Sequence, residues 1–97
     1  MLRQIVEISE EGRFLSSKRG SISVSYKKEE QGLIPFDDIA VLLVTARGAT
    51  FSKEVFTRLN EKGGVAVLCG NNYAPVSYVL PHSTHSVSYT HLTLPTN

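Results

Sequence analysis

One cysteine, Cys69, stands in the whole chain. A lone thiol excludes an intramolecular disulfide framework and suits a reducing compartment, here expected to be the cytoplasm. No apolar run approaches the about 18 residues that a membrane-spanning helix needs. The N-terminus lacks a basic segment followed by an apolar core, so no secretory signal is visible. Charge of one sign is not in excess: ten Lys and Arg stand against nine Asp and Glu. Nucleic-acid binding therefore cannot be argued from net charge. No G-x-S-x-G surrounds any serine. No glycine-rich loop follows a strand, because Gly63-Gly64 comes after the expected helix, on the wrong side for a phosphate. Charge is also absent from residues 63–97, whereas every Lys, Arg, Asp and Glu lies between Arg3 and Lys62. What is present is a chain of 97 residues, 41% hydrophobic and 20% charged. Those values fit one small globular domain with a thin core.

The pattern reads as mainly β. Leu2–Ile8 alternates as a strand, and Arg13–Ser17 follows Glu10-Glu11-Gly12 as a second. Lys18-Arg19-Gly20 is the tightest turn, with Gly20 suited to a positive φ. Ser21–Tyr26 is the cleanest alternation, with Ile22, Val24 and Tyr26 on one face and three serines on the other. Lys27–Gly32 is expected to be a solvated loop, and Leu33–Phe36 a short edge strand, since Pro35 lacks the N–H of a central ladder. Ile39–Val44 and Val65–Cys69 are apolar at both parities, which predicts two strands covered on both faces. A single helix is expected at 52–62, capped by Ser52, with Val55, Phe56 and Leu59 inward. Pro75–Leu80 is the last strand. About seven short strands and one helix predict a small β-sandwich, an α+β fragment in class.

Few side chains converge on chemistry. His82-x-x-His85, with His91, has no acidic or cysteine partner nearby, so a solvated linker is the expected role rather than a metal site. Asp37-Asp38 point to opposite sides and suit a turn better than acid–base work. Cys69 is expected to be a buried, inert thiol. Lys18-Arg19 and Lys27-Lys28 stand at opposite ends of one strand, where they are either solvated hairpin tips or contacts to a phosphate backbone. The outer face of the hairpin strands, with Ser21, Ser23 and Ser25, is expected to meet a second copy, because small side chains let another backbone approach.

Several runs in order resemble a known family. Gly12–Ser16 and Ile22-Ser23-Val24 come first. Ile34-Pro35-Phe36-Asp37-Asp38-Ile39 then runs on to Val44, and Leu59–Cys69 carries Gly64-Val65-Ala66-Val67. Asn72–Val76 with Leu80-Pro81 closes the set. Residues 1 to 86 resemble the N-terminal domain of the CRISPR-associated integrase, the spacer-acquisition endonuclease, in the short form found with single large effector nucleases. Gly70 departs from the acidic residue usual there, and Ser77-Tyr78 from a glycine.

The resemblance implies a β-sandwich over 1–80, an interdomain linker beginning at 81–86, and a separate helical domain, absent here, that holds Mg or Mn. It implies a homodimer through the β-domain, contact with prespacer DNA, a small CRISPR-associated partner protein, and no membrane. It raises Lys18, Arg19, Lys27 and Lys28 as DNA contacts. No catalytic residue, metal ligand or bound cofactor is implied for this chain, which is expected to be inactive as a nuclease alone. Residues 87–97 resemble translated sequencing-adapter read-through and are expected to carry no function. The reading from another class is a free-standing β-sandwich interaction module, and the sequence encoded beyond codon 86 separates the two.

Overall fold

The computed structural model describes residues 3–82. Two tight turns build its first sheet. Arg19 and Gly20 have φ of 51° and 77°, and Lys27 and Lys28 have 51° and 70°. Two consecutive left-handed residues are what a two-residue type I′ hairpin requires. β2 (Arg13–Lys18), β3 (Ser21–Tyr26) and β4 (Glu29–Pro35) therefore form an antiparallel meander. A β-bulge falls in the β3–β4 pair near Ser25, and Gly32 stands opposite Val24.

Phe36–Asp38 forms a single 3₁₀ turn that carries the chain into the second sheet. That sheet begins with β1 (Gln4–Ile8), which lies parallel to β5 (Ile39–Val44), with Val6 opposite Leu42 and Ile8 opposite Val44. A two-residue strand, β6 (Thr50–Phe51), joins the edge of β2. Helix α1 (Lys53–Glu61) is the crossover that lets β7 (Val65–Cys69) run parallel to β5, as parallel pairs require. β8 (Pro75–Val79) pairs antiparallel with β7. The strand orders are β4-β3-β2-β6 and β1-β5-β7-β8.

The core lies between the sheets. Leu15 and Ile22 from one side meet Ile39 and Leu42 from the other, and Phe36, Val55 and Leu59 close one end, all essentially inaccessible to water. The backbone must pass very close at the helix exit. Gly63 takes φ 90° to end α1, and a Cβ on Gly64 would lie 2.5 Å from Leu59 Cδ1 and 2.8 Å from the Ile39 carbonyl. Arg3 fastens the same corner, donating to the carbonyls of Ile39 (3.1 Å) and Lys62 (2.7 Å). On the far side, the Glu11 carboxylate accepts from the backbone N–H groups of Arg47 (2.9 Å) and Gly48 (2.7 Å). It pins the β1–β2 turn to the loop after β5.

The sandwich, the single helix and the edge position of Pro35 agree with the sequence reading. The described residues hold eight strands against about seven expected, the added one being Thr50–Phe51, which pairs with a distant partner. Four expectations do not hold. The expected loop at 27–32 is a two-residue turn followed at once by strand. Ser52 occupies the N-cap of α1, yet its hydroxyl makes no capping bond. Strands β5 and β7 are covered on the inner face only, and the side chains of Val41, Leu43, Val65 and Val67 are half-buried. Cys69 is likewise half-buried, not enclosed. Alternation reports which side chains are apolar, not whether another layer exists to cover them.

Candidate nucleic-acid interface

The four basic residues expected to touch DNA are held at the two I′ turns, one at each end of β3. Six residues of β3 stand between the turns, so the tips are about 20–25 Å apart by strand rise. They do not form one patch. Each tip has its own surroundings.

At the first tip Lys18 is engaged. Its Nζ lies 3.0 Å from the Glu30 carboxylate, which also accepts from the Ser23 hydroxyl at 3.0 Å. The Lys18 ammonium, and then the Ser23 hydroxyl, hold Glu30 below the usual carboxylate range. Arg19 instead faces α1 across a cleft of about 470 Å³ that also receives Glu54, Arg58, Glu61 and Lys62, with Ser17 and Phe36 against it. Arg58 and Lys62 lie one helical turn apart and so share a face. Lys62 reaches Asp37 at 3.4 Å. Among the described residues Arg19 and Arg58 make no ion pair, although two glutamates line the same cleft. Sequence reading missed Arg58 and Lys62. Their i, i+4 spacing was a usable signal, but nothing in it said that the face would meet the Arg19 turn.

At the second tip the cations are ordered by an aromatic ring. Lys27 Nζ lies 5.3 Å from the centre of the Tyr26 ring, and the Arg13 guanidinium lies over the same ring at 4.3 Å. Both are within cation–π range. Arg13 also donates to the Glu11 carbonyl at 2.8 Å and pairs with Glu10. Lys28 stands beside Lys27 at the apex, exposed. Type I′ turns favour asparagine and glycine, so two lysines at positive φ are an uncommon occupant.

Charge is what these tips offer a partner. The arrangement suits attraction of phosphate by ammonium and guanidinium groups. No group of three or more His, Cys, Asp and Glu side chains able to hold a metal occurs among the described residues. His82 is exposed, while His85, His91 and the whole of 87–97 lie outside the described residues. Asp37 and Asp38 lie in the 3₁₀ turn, as a turn role requires. Ser23 is only 7% exposed, and with its hydroxyl committed to Glu30 the serine face is a less open platform than alternation suggested. No helix among the described residues is long and apolar enough to cross a membrane.

The Lys18–Glu30–Ser23 group gives a pH-dependent expectation. Glu30 is more acidic folded than unfolded, so its contribution is complete above the unfolded pKa and fades as pH falls through the folded one. Glu30→Gln is expected to lower the thermal midpoint slightly at pH 7, on the order of 1–4 °C for an exposed pair. The gap to the parent chain is expected to close on acidification below the usual carboxylate range. A gap of the same size at low pH, measured by circular dichroism melts, would refute this.

No family model matches the chain, and no curated protein matches it. Solved structures do. A CAS1 protein from Thermotoga maritima superposes with a TM-score of 0.71 at 16% identity, over 84% of this chain and 26% of that one. TtCas1 in a complex with DNA gives 0.69 at 16% identity, over 88% and 29%. A casposase bound to integration product gives 0.66 at 14% identity, over 84% and 25%. The chain has the fold of a segment of these proteins and spans about a quarter of their length.

Proposed function

We propose that this chain is the N-terminal β-domain of a Cas1-type integrase, the enzyme of CRISPR adaptation that inserts new spacers into the array. The observation behind this reading is the superposition of four-fifths or more of the chain on Cas1 structures, at TM-scores of 0.63 to 0.72. Residues 1–80 are the β-domain in this reading, and 81–86 open the linker to a helical domain. The Mg or Mn of the reaction belongs to that other domain. Among the described residues no group of three or more His, Cys, Asp and Glu side chains could hold a metal, which is consistent with that assignment. The β-domain's work is to pair with a second copy and to touch DNA through Lys18, Arg19, Lys27 and Lys28, with Arg58 and Lys62 beside Arg19. A DNA complex of TtCas1 and an assembly of Cas6-RT-Cas1 with Cas2 support DNA and a small CRISPR-associated protein as partners.

A fluorescence anisotropy titration of the 97-residue chain against a labelled 20-base-pair duplex tests the DNA-binding role. Binding is expected to weaken steeply between 50 and 200 mM salt, because each neutralised phosphate releases counterions. Arg19→Glu with Lys27→Glu is expected to weaken it about tenfold or more. The same variant should flatten the salt slope by about one for every phosphate it leaves without a cation. Unchanged binding by that variant would overturn the assignment.

A further inference from the structure

Two cations and two anions share the cleft between the β2–β3 turn and α1, yet among the described residues none of them makes an ion pair. Arg19 enters from the turn, and Glu54, Arg58 and Glu61 form a stripe along the helix. Lys62, at the end of the stripe, is drawn aside to Asp37 at 3.4 Å. Glu54 and Glu61 stand one helical turn to either side of Arg58, about 5–6 Å along the axis. Ion pairs at that spacing are weak in water, so the groups of a ligand can take their place. The cleft encloses about 470 Å³, within the range of small-molecule sites. Among the described residues no exposed ring lines it, and Phe36 at its floor is 1% exposed.

We propose that this cleft binds a sugar phosphate, with the phosphate monoester between the Arg19 and Arg58 guanidiniums and the sugar hydroxyls donating to Glu54 and Glu61. The inference goes beyond the DNA-binding role and does not rest on it.

Charge selects the phosphate. A monoester carries about −1.5 to −2 at pH 7, which two guanidiniums offset, whereas a diester inside a strand carries a single charge. The planar forks of arginine match paired phosphate oxygens. The glutamates select what is attached. A strand running on through the cleft would set its neighbouring phosphates against Glu54 and Glu61, and like charges repel. A sugar brings hydroxyl donors to the same places, and an ionised carboxylate can only accept. With no aromatic platform in the cleft, a base has nothing to stack on. The recognised unit is therefore phosphate with sugar, whatever base is attached. That unit has two sources, a free sugar phosphate and the phosphorylated end of a nucleic-acid strand.

Amide NMR spectra of the 97-residue chain, titrated with ribose 5-phosphate, inorganic phosphate and ribose, test this. Ribose 5-phosphate is expected to shift the signals of residues 19–20 and 54–62 and to saturate with a Kd below about 1 mM. Ribose alone is expected to bind at least tenfold more weakly. Arg58→Gln and Arg19→Asn are each expected to raise the Kd for ribose 5-phosphate at least tenfold. Both side chains are exposed, and asparagine suits the φ of 51° at position 19, so the fold is kept. Glu54→Ala combined with Glu61→Ala is expected to weaken ribose 5-phosphate at least threefold while inorganic phosphate binds as well or tighter. Tightening of both ligands would mean charge attraction alone and overturns the site. So do cleft signals that ribose 5-phosphate leaves unmoved, and duplex binding that persists in that case leaves the DNA role standing. Competition then assigns the source. Displacement by a short strand with a 5′-phosphate, but not by its 5′-hydroxyl counterpart, assigns the strand end, and displacement by neither assigns the free sugar phosphate. Displacement by both overturns the choice of a monoester.

Discussion

Phe36→Ala is expected to leave little folded protein at 37 °C. Phe36 is 1% exposed and is the largest of the fully buried side chains. It sits where the chain crosses from one sheet to the other, and its N–H donates to the Gly20 carbonyl at 3.1 Å. That bond survives the substitution, so only packing is removed. Truncating a buried phenylalanine costs about 3–5 kcal/mol, through forfeited transfer energy and the cavity left behind. A single small domain has about 5–15 kcal/mol in all, and one with a thin core lies toward the lower end. The thermal midpoint is expected to fall by roughly 15–30 °C. A circular dichroism melt decides it, and a drop of less than about 5 °C would mean that the end of the sandwich collapses to refill the space.

Gly64→Ala is expected to be nearly as damaging, for the opposite reason. The added methyl would lie 2.5 Å from Leu59 Cδ1, 2.8 Å from the Ile39 carbonyl and 3.1 Å from Leu59 Cγ. Leu59 is fully buried and Ile39 contributes backbone, so neither can swing aside. The Gly64 N–H also donates to the Leu59 carbonyl at 2.9 Å. Relief must come from moving β7 against β5, and overpacking of this kind costs about 1–3 kcal/mol or more. A fall of roughly 10–20 °C is expected. Gly63→Ala is the useful comparison. Its φ of 90° makes alanine strained, but its close neighbour is the flexible end of Arg3 at 3.2 Å. It is expected to cost about 1 kcal/mol. Equal melts for the two variants would show that strain in the helix exit, not the Gly64 collision, governs this corner.

The sequence discloses the local half of this structure best. Ser21–Tyr26 alternates so cleanly that its strand and its inner face follow from period two. Gly20 marks its turn, and Gly63 marks the end of the helix. What stays hidden is whatever depends on a distant partner or on rare chemistry. Thr50–Phe51 is a strand only because β2 leaves an edge free beside it. The turn at Lys27-Lys28 has no glycine or asparagine to announce two left-handed residues. Arg58 and Lys62 join Arg19 because α1 packs against β2, a meeting of residues about 40 positions apart. Four basic residues were legible as candidates. That they occupy two separate tips followed from their place on one strand, but what surrounds each tip did not.

The sheet order also fixes how this unit joins to other polypeptide. β1 and β8 are the two edges of one four-stranded sheet, and they run in opposite directions. The start of β1 at Gln4 and the end of β8 at Val79 therefore lie at the same end of that sheet, three strand spacings or about 14 Å apart. Incoming and outgoing chain can share one side of the domain, and a bridge of about five extended residues would span the gap. That placement is the one that insertion into a loop of a host protein requires, and the exposed Lys27-Lys28 apex, which carries no rung of either sheet, is where a chain closed head to tail would be reopened.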